Sequence, residues 1–302
     1  MSKMLISEKK EMLKGMCSVD NKKSLVMVLS AIMVFVALVI WISWGNSALQ
    51  INTYTVKSNR LPKAFDGFRI LQVSDLHNAE FGSNNEKLLS EIKKAEPDII
   101  VITGDIVDSR KTDVEIAIAF AGKAVKIAPC YYVTGNHESR ISDHDYLIAG
   151  IEKAGVTVLR DEKVLLERDG EKIFVAGLDD PYFKTDYLFE KESENTEVRL
   201  KRLGKDSEFT VLLSHRPELF EVYCENNIDL VFSGHAHGGQ FRLPVIGGLY
   251  APHQGVLPEY DGGMFEKDGT TMIVSRGIGN SVFPFRLNNR PELIVTVLQE
   301  EK

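Results

Sequence analysis

Cysteine is scarce in this chain. Only Cys17, Cys130 and Cys224 occur in 302 residues, and no two stand in a CxxC spacing. That pattern argues against a zinc ribbon and supplies no disulfide scaffold. Cys130 and Cys224 lie beside apolar runs and are expected as small core residues, with a bridge between them left open. A net basic charge is also missing beyond the amino terminus. The formal net charge is −7, yet residues 1–23 hold six lysines against Glu8, Glu11 and Asp20. The remainder is therefore more acidic than the total. A body of that sign is a poor binder of nucleic acid through a broad basic face, so no nucleic-acid partner is expected. Internal repeats and low-complexity segments are missing too.

One stretch lacks charge altogether. Ser24 to Trp44 has no Asp, Glu, Lys or Arg, and its length matches the ~20 residues that a helix needs to cross a bilayer. The run is longer than the apolar core of a signal peptide, and Ser43-Trp44-Gly45 makes a poor cleavage site. Trp41 and Trp44 suit a membrane interface. The expectation is an uncleaved single-pass anchor over residues 24–44, with a tail over 1–23 and a body over 45–302. Lys22 and Lys23 abut the run on one side, and the first basic residue on the other is Lys57. By the positive-inside tendency the tail is cytoplasmic and the body lies outside the cell membrane. No twin arginine precedes the run.

What the body does have is a repeated strand, polar tip and helix. Phe68–Val73 is strand-like and runs into Ser74-Asp75-Leu76-His77. Asp98–Thr103, rich in β-branched residues, reads as a strand buried on both faces and runs into Gly104-Asp105-Ile106-Val107-Asp108. Cys130–Thr134 leads into Gly135-Asn136-His137-Glu138. Phe209–Leu213 leads into Ser214-His215-Arg216-Pro217. Asp229–Phe232 leads into Gly234-His235-Ala236-His237-Gly238-Gly239. Helical periodicity separates these runs at 84–95, 114–127, 143–154 and 218–226, and Asp169-Gly170 reads as the turn of a hairpin. Leu49–Lys57 reads as an edge strand. The sequence therefore predicts a layered α/β fold. All five tips follow carboxyl ends of strands, where α/β proteins build their sites.

The tips offer Asp75, His77, Asp105, Asn136, His215, His235 and His237. Taken singly, each has an ordinary explanation: Asp75 or Asp105 as a cap, Asn136 as a turn residue, His215 as a loop histidine. Taken together, in one order and each at a strand end, they form a nitrogen and oxygen donor set for a divalent cation such as Mn²⁺, Zn²⁺ or Fe²⁺. Seven donors exceed the needs of one open metal and suit two metals sharing a carboxylate, about 3.5–4 Å apart. The glycines at 234, 238 and 239 are expected to provide positive φ at the His235–His237 turn. His144 is expected at the solvated surface and His253 in a loop.

These blocks resemble the calcineurin-like metallophosphoesterases. The family's DxH, GDxxD, GNHE, H and GHxH appear here as Asp75–His77, Gly104–Asp108, Gly135–Glu138, His215 and Gly234–His237. The tail, with His235–Pro244, Ser275–Asn280 and Arg290-Pro291-Glu292, is similar to the membrane-anchored bacterial branch of phosphodiesterases. The resemblance implies a four-layer α/β/β/α sandwich preceded by one transmembrane helix. It implies one metal on Asp75, His77, Asp105 and His237, and another on Asp105, Asn136, His215 and His235, with Asp105 bridging. It further implies in-line attack by a bridging hydroxide, His137 protonating the leaving oxygen or holding a phosphate oxygen, and Asp108 orienting His137. The protein-phosphatase branch places an arginine directly after the second Asp of GDxxD. Here Ser109 follows Asp108 and Arg110 comes one later, so no phosphate clamp is carried over to Arg110 and protein phosphatase activity is discounted. Arg216, Arg242, Arg276 and Arg286 remain as phosphate contacts to test.

The expected activity is hydrolysis of phosphate esters, diesters ahead of monoesters. The expected substrates are lipid headgroups or cell-wall esters, because an anchored body reaches them readily. The alternatives are a phosphomonoesterase acting on lipid or wall-precursor phosphates and, from another class, a metal-binding scaffold without turnover. The charged span Asp186–Glu208 and the Gly/Pro-rich span Pro244–Gly263 are expected to wall the pocket.

Overall fold

A computed structural model describes residues 2–183, 191–204 and 207–301. Contacts divide the chain into Met1–Trp44 and Gly45–Lys302. The first unit belongs to helix α1, Ser2–Ser47. Within it Lys23–Ser47 is long and apolar enough to cross a membrane, by length and composition.

The second unit contains two six-stranded sheets. Strands β1 (Gln50–Ser58), β2 (Arg69–Val73), β3 (Ile99–Thr103), β4 (Cys130–Val133), β5 (Thr157–Val158) and a final strand Glu292–Glu300 form one sheet. The other contains β6 (Glu162–Arg168), β7 (Glu171–Gly177), β8 (Phe209–Leu213), β9 (Leu230–Ser233) and the hairpin Gly263–Lys267 with Thr270–Val274. Four two-residue strands lie between β9 and that hairpin: β10 (Arg242–Leu243), β11 (Gly247–Gly248), β12 (Tyr250–Ala251) and β13 (Gly255–Val256). The hairpin strands and the final strand are thus β14, β15 and β16. β1 lies at a sheet edge, paired in parallel with β16.

Period-two alternation explains the layering. In β3, Ile100 and Ile102 pack toward helices α2 (Glu86–Lys94), α3 (Val114–Ala124) and α4 (His144–Lys153), while Ile99 and Val101 face the other sheet. In β9, Leu230 and Phe232 face the first sheet, while Val231 packs toward helices α5 (Glu192–Leu203) and α6 (Phe220–Glu225). The result is a four-layer α/β/β/α sandwich, with strands buried on both faces. Cys130 and Cys224 are both free and buried, in outer cores on opposite sides of the two sheets, so no bridge joins them.

β2, β3 and β4 are mutually parallel, as are β7, β8, β9 and β15. Their carboxyl ends open onto one region. Gln72 stitches the sheets just beneath it, donating to Thr103 Oγ1 at 2.9 Å and to the Ser233 carbonyl at 2.8 Å. Of the charged span expected to wall the pocket, residues 186–190 and 205–206 lie outside the described residues, and α5 occupies most of the remainder.

Candidate metal centre

The strand ends leave the sheets in strained turns. Asp75, His77, Asp105, His235 and His237 all take positive φ, between 46° and 66°. Left-handed backbone at a non-glycine residue costs on the order of 1–3 kcal/mol and persists where the surroundings over-determine it. The histidines of the His235–His237 turn thus adopt the conformation expected of the glycines. Gly238 and Gly239 share it, whereas Gly234 has another use. A Cβ there would run into Ser74 Oγ and the Asp75 carboxylate, so the residue must be glycine for β9 to approach β2.

The turns bring six of the seven sequence-derived donors into two groups. Asp75, His77, Asp105 and His237 offer one ligand atom each, all within 4.8 Å of one another, and so do Asp105, His215 and His235. Asp105 belongs to both. Its Oδ2 lies 3.7 Å from His77 Nε2 and 3.2 Å from His215 Nε2. Its Oδ1 instead accepts the His137 backbone N–H at 2.8 Å. His77 Nε2 and His237 Nε2 are 3.0 Å apart, and His237 Nε2 is 3.2 Å from Asp75 Oδ1. His235 Nδ1 is 3.2 Å from His215 Nε2.

These residues fit divalent cations. A tetrahedral shell at about 2.0–2.1 Å places its donors about 3.3 Å apart, close to the observed spacings. Asn136 Oδ1 is buried without a hydrogen-bond partner, as a donor awaiting a cation would be. His215 Nδ1 lies 2.7 Å from the Thr103 carbonyl. A bond donated there leaves the Nε2 lone pair aimed at Asp105, the arrangement common behind metal-ligating imidazoles. Electrostatics agree. Burial pushes Asp75 up to about 6 and His77 down to about 3. Burial also holds His235 and His237 well below the imidazole range. At His215 burial acts downward too, but the charge and hydrogen bond of Asp105 prevail and raise it to about 10. A cation would take over the neutralising role of that proton.

His137 stands beside the first group, its ring edge-on to His77 with centroids 4.5 Å apart. Its Nδ1 accepts the Ser109 backbone N–H at 3.0 Å. That bond selects the neutral tautomer with hydrogen on Nε2, and burial keeps the ring's pKa below the usual range. Asp108 does not hold the ring directly. Its Oδ1 is 3.6 Å from Nδ1, and its carboxylate is taken by Arg110, at 2.9 Å from Nη2 and 3.2 Å from Nε.

Residues 68–239 match the family described as "Calcineurin-like phosphoesterase". The uncharacterized metallophosphoesterase YkuE of Bacillus subtilis is 32% identical over 263 residues, spanning 83% of this chain and 86% of that protein. The chain belongs to the calcineurin-like phosphoesterase family. Phosphodiesterase YaeI of Escherichia coli is 29% identical over 244 residues, covering 77% of this chain and 82% of YaeI. A Bos taurus "transmembrane protein with metallophosphoesterase domain" is 29% identical over 262 residues, covering 82% of this chain but only 57% of the relative.

Around its donors this phosphoesterase has supports that motif reading missed. Glu138 is fully buried and accepts the backbone N–H groups of Asp105 at 2.9 Å and Gly135 at 2.6 Å, clamping two tips together. Burial, with Asp105 nearby, pushes it up to about 8. Its place in Gly135–Glu138 was the only signal. The four arginines considered for phosphate are already engaged by protein groups. Arg216 pairs with Asp180 through two bonds of 2.6 and 3.0 Å, Arg242 with Asp261 at 2.9 Å and Arg276 with Glu292 at 2.6 Å. Arg286 is fully enclosed among backbone carbonyls, with Nη2 3.3 Å from His237 Nδ1. His253 does more than fill a loop. Its Nδ1 is 2.9 Å from His235 Nε2 and 2.8 Å from Arg216 Nη1, and its Nε2 is 2.8 Å from Tyr182 Oη. His144 is half-buried beside Asp145 and the Phe183 ring.

Proposed function

We propose that this chain is a membrane-tethered phosphodiesterase that works with two divalent cations. The observation that carries the reading is the sharing of Asp105 between two buried donor groups. Asp75, His77, Asp105 and His237 would hold one cation, and Asp105, Asn136, His215 and His235 the other, with Mn, Zn or Fe suited to such donors. When bound, the cations supply charge that neutralises a phosphoryl group and lowers the pKa of water.

The chain's own groups do the rest. The His137 N–H fixes Asp105 so that Oδ2 faces both donor groups. The Ser109 N–H fixes His137 with its hydrogen on Nε2, 3.3 Å from Ser281 Oγ, where an ester oxygen would compete for it, either as the leaving alcohol to be protonated or as a non-bridging oxygen to be held. Asp108 acts through the turn, accepting the Arg110 backbone N–H at 2.9 Å and so shaping the loop that presents Ser109. Preference for diesters is supported by the name of YaeI. The lysines before the apolar helix, with none following until Lys57, support a body on the outer side of the cell membrane. There, lipid headgroups and wall esters are within reach.

The test is hydrolysis of bis(p-nitrophenyl) phosphate and p-nitrophenyl phosphate by the full chain in detergent, with Mn²⁺ or with chelator, and with Asp105→Ala as control. Metal-dependent cleavage of the diester above the monoester is expected. Preference for the monoester would make the protein a phosphomonoesterase. No cleavage of either by metal-loaded protein would leave a binding scaffold.

A further inference from the structure

Two uncharged segments frame the mouth of the site. Leu243–Pro258 and Gly277–Phe285 contain no Asp, Glu, Lys or Arg, in a chain that is 26% charged. Their apolar side chains face water: Val245, Ile246, Val256, Leu257, Val282 and Phe283 are all exposed, Val245 completely. Such clustering on a folded surface marks an interaction site.

The segments are built together. Phe241 packs its ring against Phe283 and Phe285, with centroids 5.3 and 5.4 Å apart. The Leu249 N–H bonds to the Phe241 carbonyl at 2.9 Å, and the Leu257 N–H to the Leu249 carbonyl at 2.9 Å, joining the β10–β11 and β12–β13 hairpins. Each segment also touches the metal centre. The hairpins carry His253 onto His235, and the other segment carries Ser281 Oγ to 3.3 Å from His137 Nε2.

The same segment is fastened to the start of the second unit. Asn46 Oδ1 accepts the Arg286 N–H at 2.6 Å, and Asn46 Nδ2 donates to the Arg286 carbonyl at 2.9 Å. Arg290 grips the carbonyls of Ala48 and Leu49 at 2.8 and 3.0 Å. Asn46 lies two residues beyond Trp44, where the uncharged run ends, so at most about 8 Å of chain separates that run from the residue that holds Arg286.

We infer that the Leu243–Pro258 and Val282–Phe285 rim docks on the lipid bilayer and presents the metal centre to phosphate esters carried by lipids. Uncharged tips with apolar side chains suit insertion to the level of the headgroup–acyl boundary, about 5–10 Å deep. A nearby tether makes that contact intramolecular, so a modest apolar area suffices. The substrate half of the inference rests on the phosphoesterase reading above. The docking half stands without it.

The test uses the full chain in phosphatidylcholine–phosphatidylglycerol nanodiscs. In a Cys17→Ser background, Val245→Cys and Val282→Cys each carry an environment-sensitive NBD probe, since Cys130 and Cys224 are buried. The control is Asp169→Cys, in the turn before β7 and hence at the sheet edge away from the site. Rim probes are expected to shift to the blue and to be quenched by nitroxide lipid about twofold or more above the control. Quenching equal to the control would overturn docking. So would a blue shift that instead depends on protein concentration in detergent, which would assign the rim to a second copy of the chain. For the substrate half, Val245→Asp with Phe283→Asp should lower the ratio of lipid-borne to soluble diester turnover about tenfold; an unchanged ratio would overturn it. Probe insertion without turnover of either ester by the unsubstituted chain would overturn the phosphoesterase reading and uphold docking.

Discussion

The floor and the rim of this site are built on opposite principles. The floor consists of buried strand ends, most of whose candidate donor side chains ride on left-handed backbone, held by Glu138, Gln72 and Gly234. The rim consists of two-residue strands and open loops whose side chains face water. Rigid sheets can hold strained turns because hydrophobic cores flank both faces of the strands that carry the donors, and that rigidity suits a metal centre. Loops of little packing can change without disturbing the floor, and there a phosphoesterase can select among esters. The difference teaches that floor substitutions should alter metal content, whereas rim substitutions should leave metal in place and alter rates.

The sharpest division is expected at Asp105. Asp105→Ala removes the only carboxylate common to both donor groups. Turnover should fall below detection, and metal analysis of the purified protein should show loss at both sites. Full activity, or loss of one metal only, would break the idea of a shared floor. His137 comes next, because it borders the floor yet offers no ligand to either donor group. His137→Ala should keep its metal and lose roughly 10²–10⁴ in kcat, the usual range for a proton-transfer group. Loss of metal instead would move His137 into the floor.

How much of this could be read from sequence also divides at that boundary. The floor was legible because each donor follows an apolar β-run, and because Asp, His and Asn have few shared uses at so many strand ends. A layered α/β fold followed from the same runs, and the count of four layers from the family resemblance. Several supports were not legible. The partners of Glu138 are backbone N–H groups, which no side-chain pattern announces. The link between His137 and Ser109 is also made by backbone, so the family resemblance pointed instead to Asp108, whose carboxylate lies 3.6 Å from the ring. The rim was hidden because β10 to β13 are too short to show any periodicity. Asn46 and Arg286 stand 240 residues apart, with no shared motif. β14 was missed for another reason: it pairs only with β15 and is mostly exposed, so it lacks an apolar run.

His253 tests the boundary from the rim side. It contacts a floor donor, His235, but reaches it from a surface loop. His253→Ala should keep both metals and lower kcat/KM by roughly tenfold, the lower end of effects seen for groups behind a metal ligand. Metal loss on dialysis would show that His253 helps to hold His235, and the division between floor and rim would then run through this loop.

The smallest effect is expected at Arg110, in the turn after β3 at the border of the floor. Arg110 pairs with Asp108 while its own side chain is 44% exposed. An ion pair this open to solvent contributes about 0–1 kcal/mol to stability. Arg110→Ala should therefore leave the thermal midpoint within a few degrees and change kcat by less than about threefold, because the Ser109 N–H that holds His137 is untouched. The informative quantity is KM. If Arg110 serves only Asp108, KM for a diester stays where it was. If KM rises about tenfold with kcat unchanged, Arg110 leaves Asp108 to bind substrate, a loss of uniform binding rather than of transition-state stabilisation. The turn after β3 would then contain a phosphate contact one residue later than in the protein-phosphatase branch, and the Asp108–Arg110 pair would describe only the site without its ester.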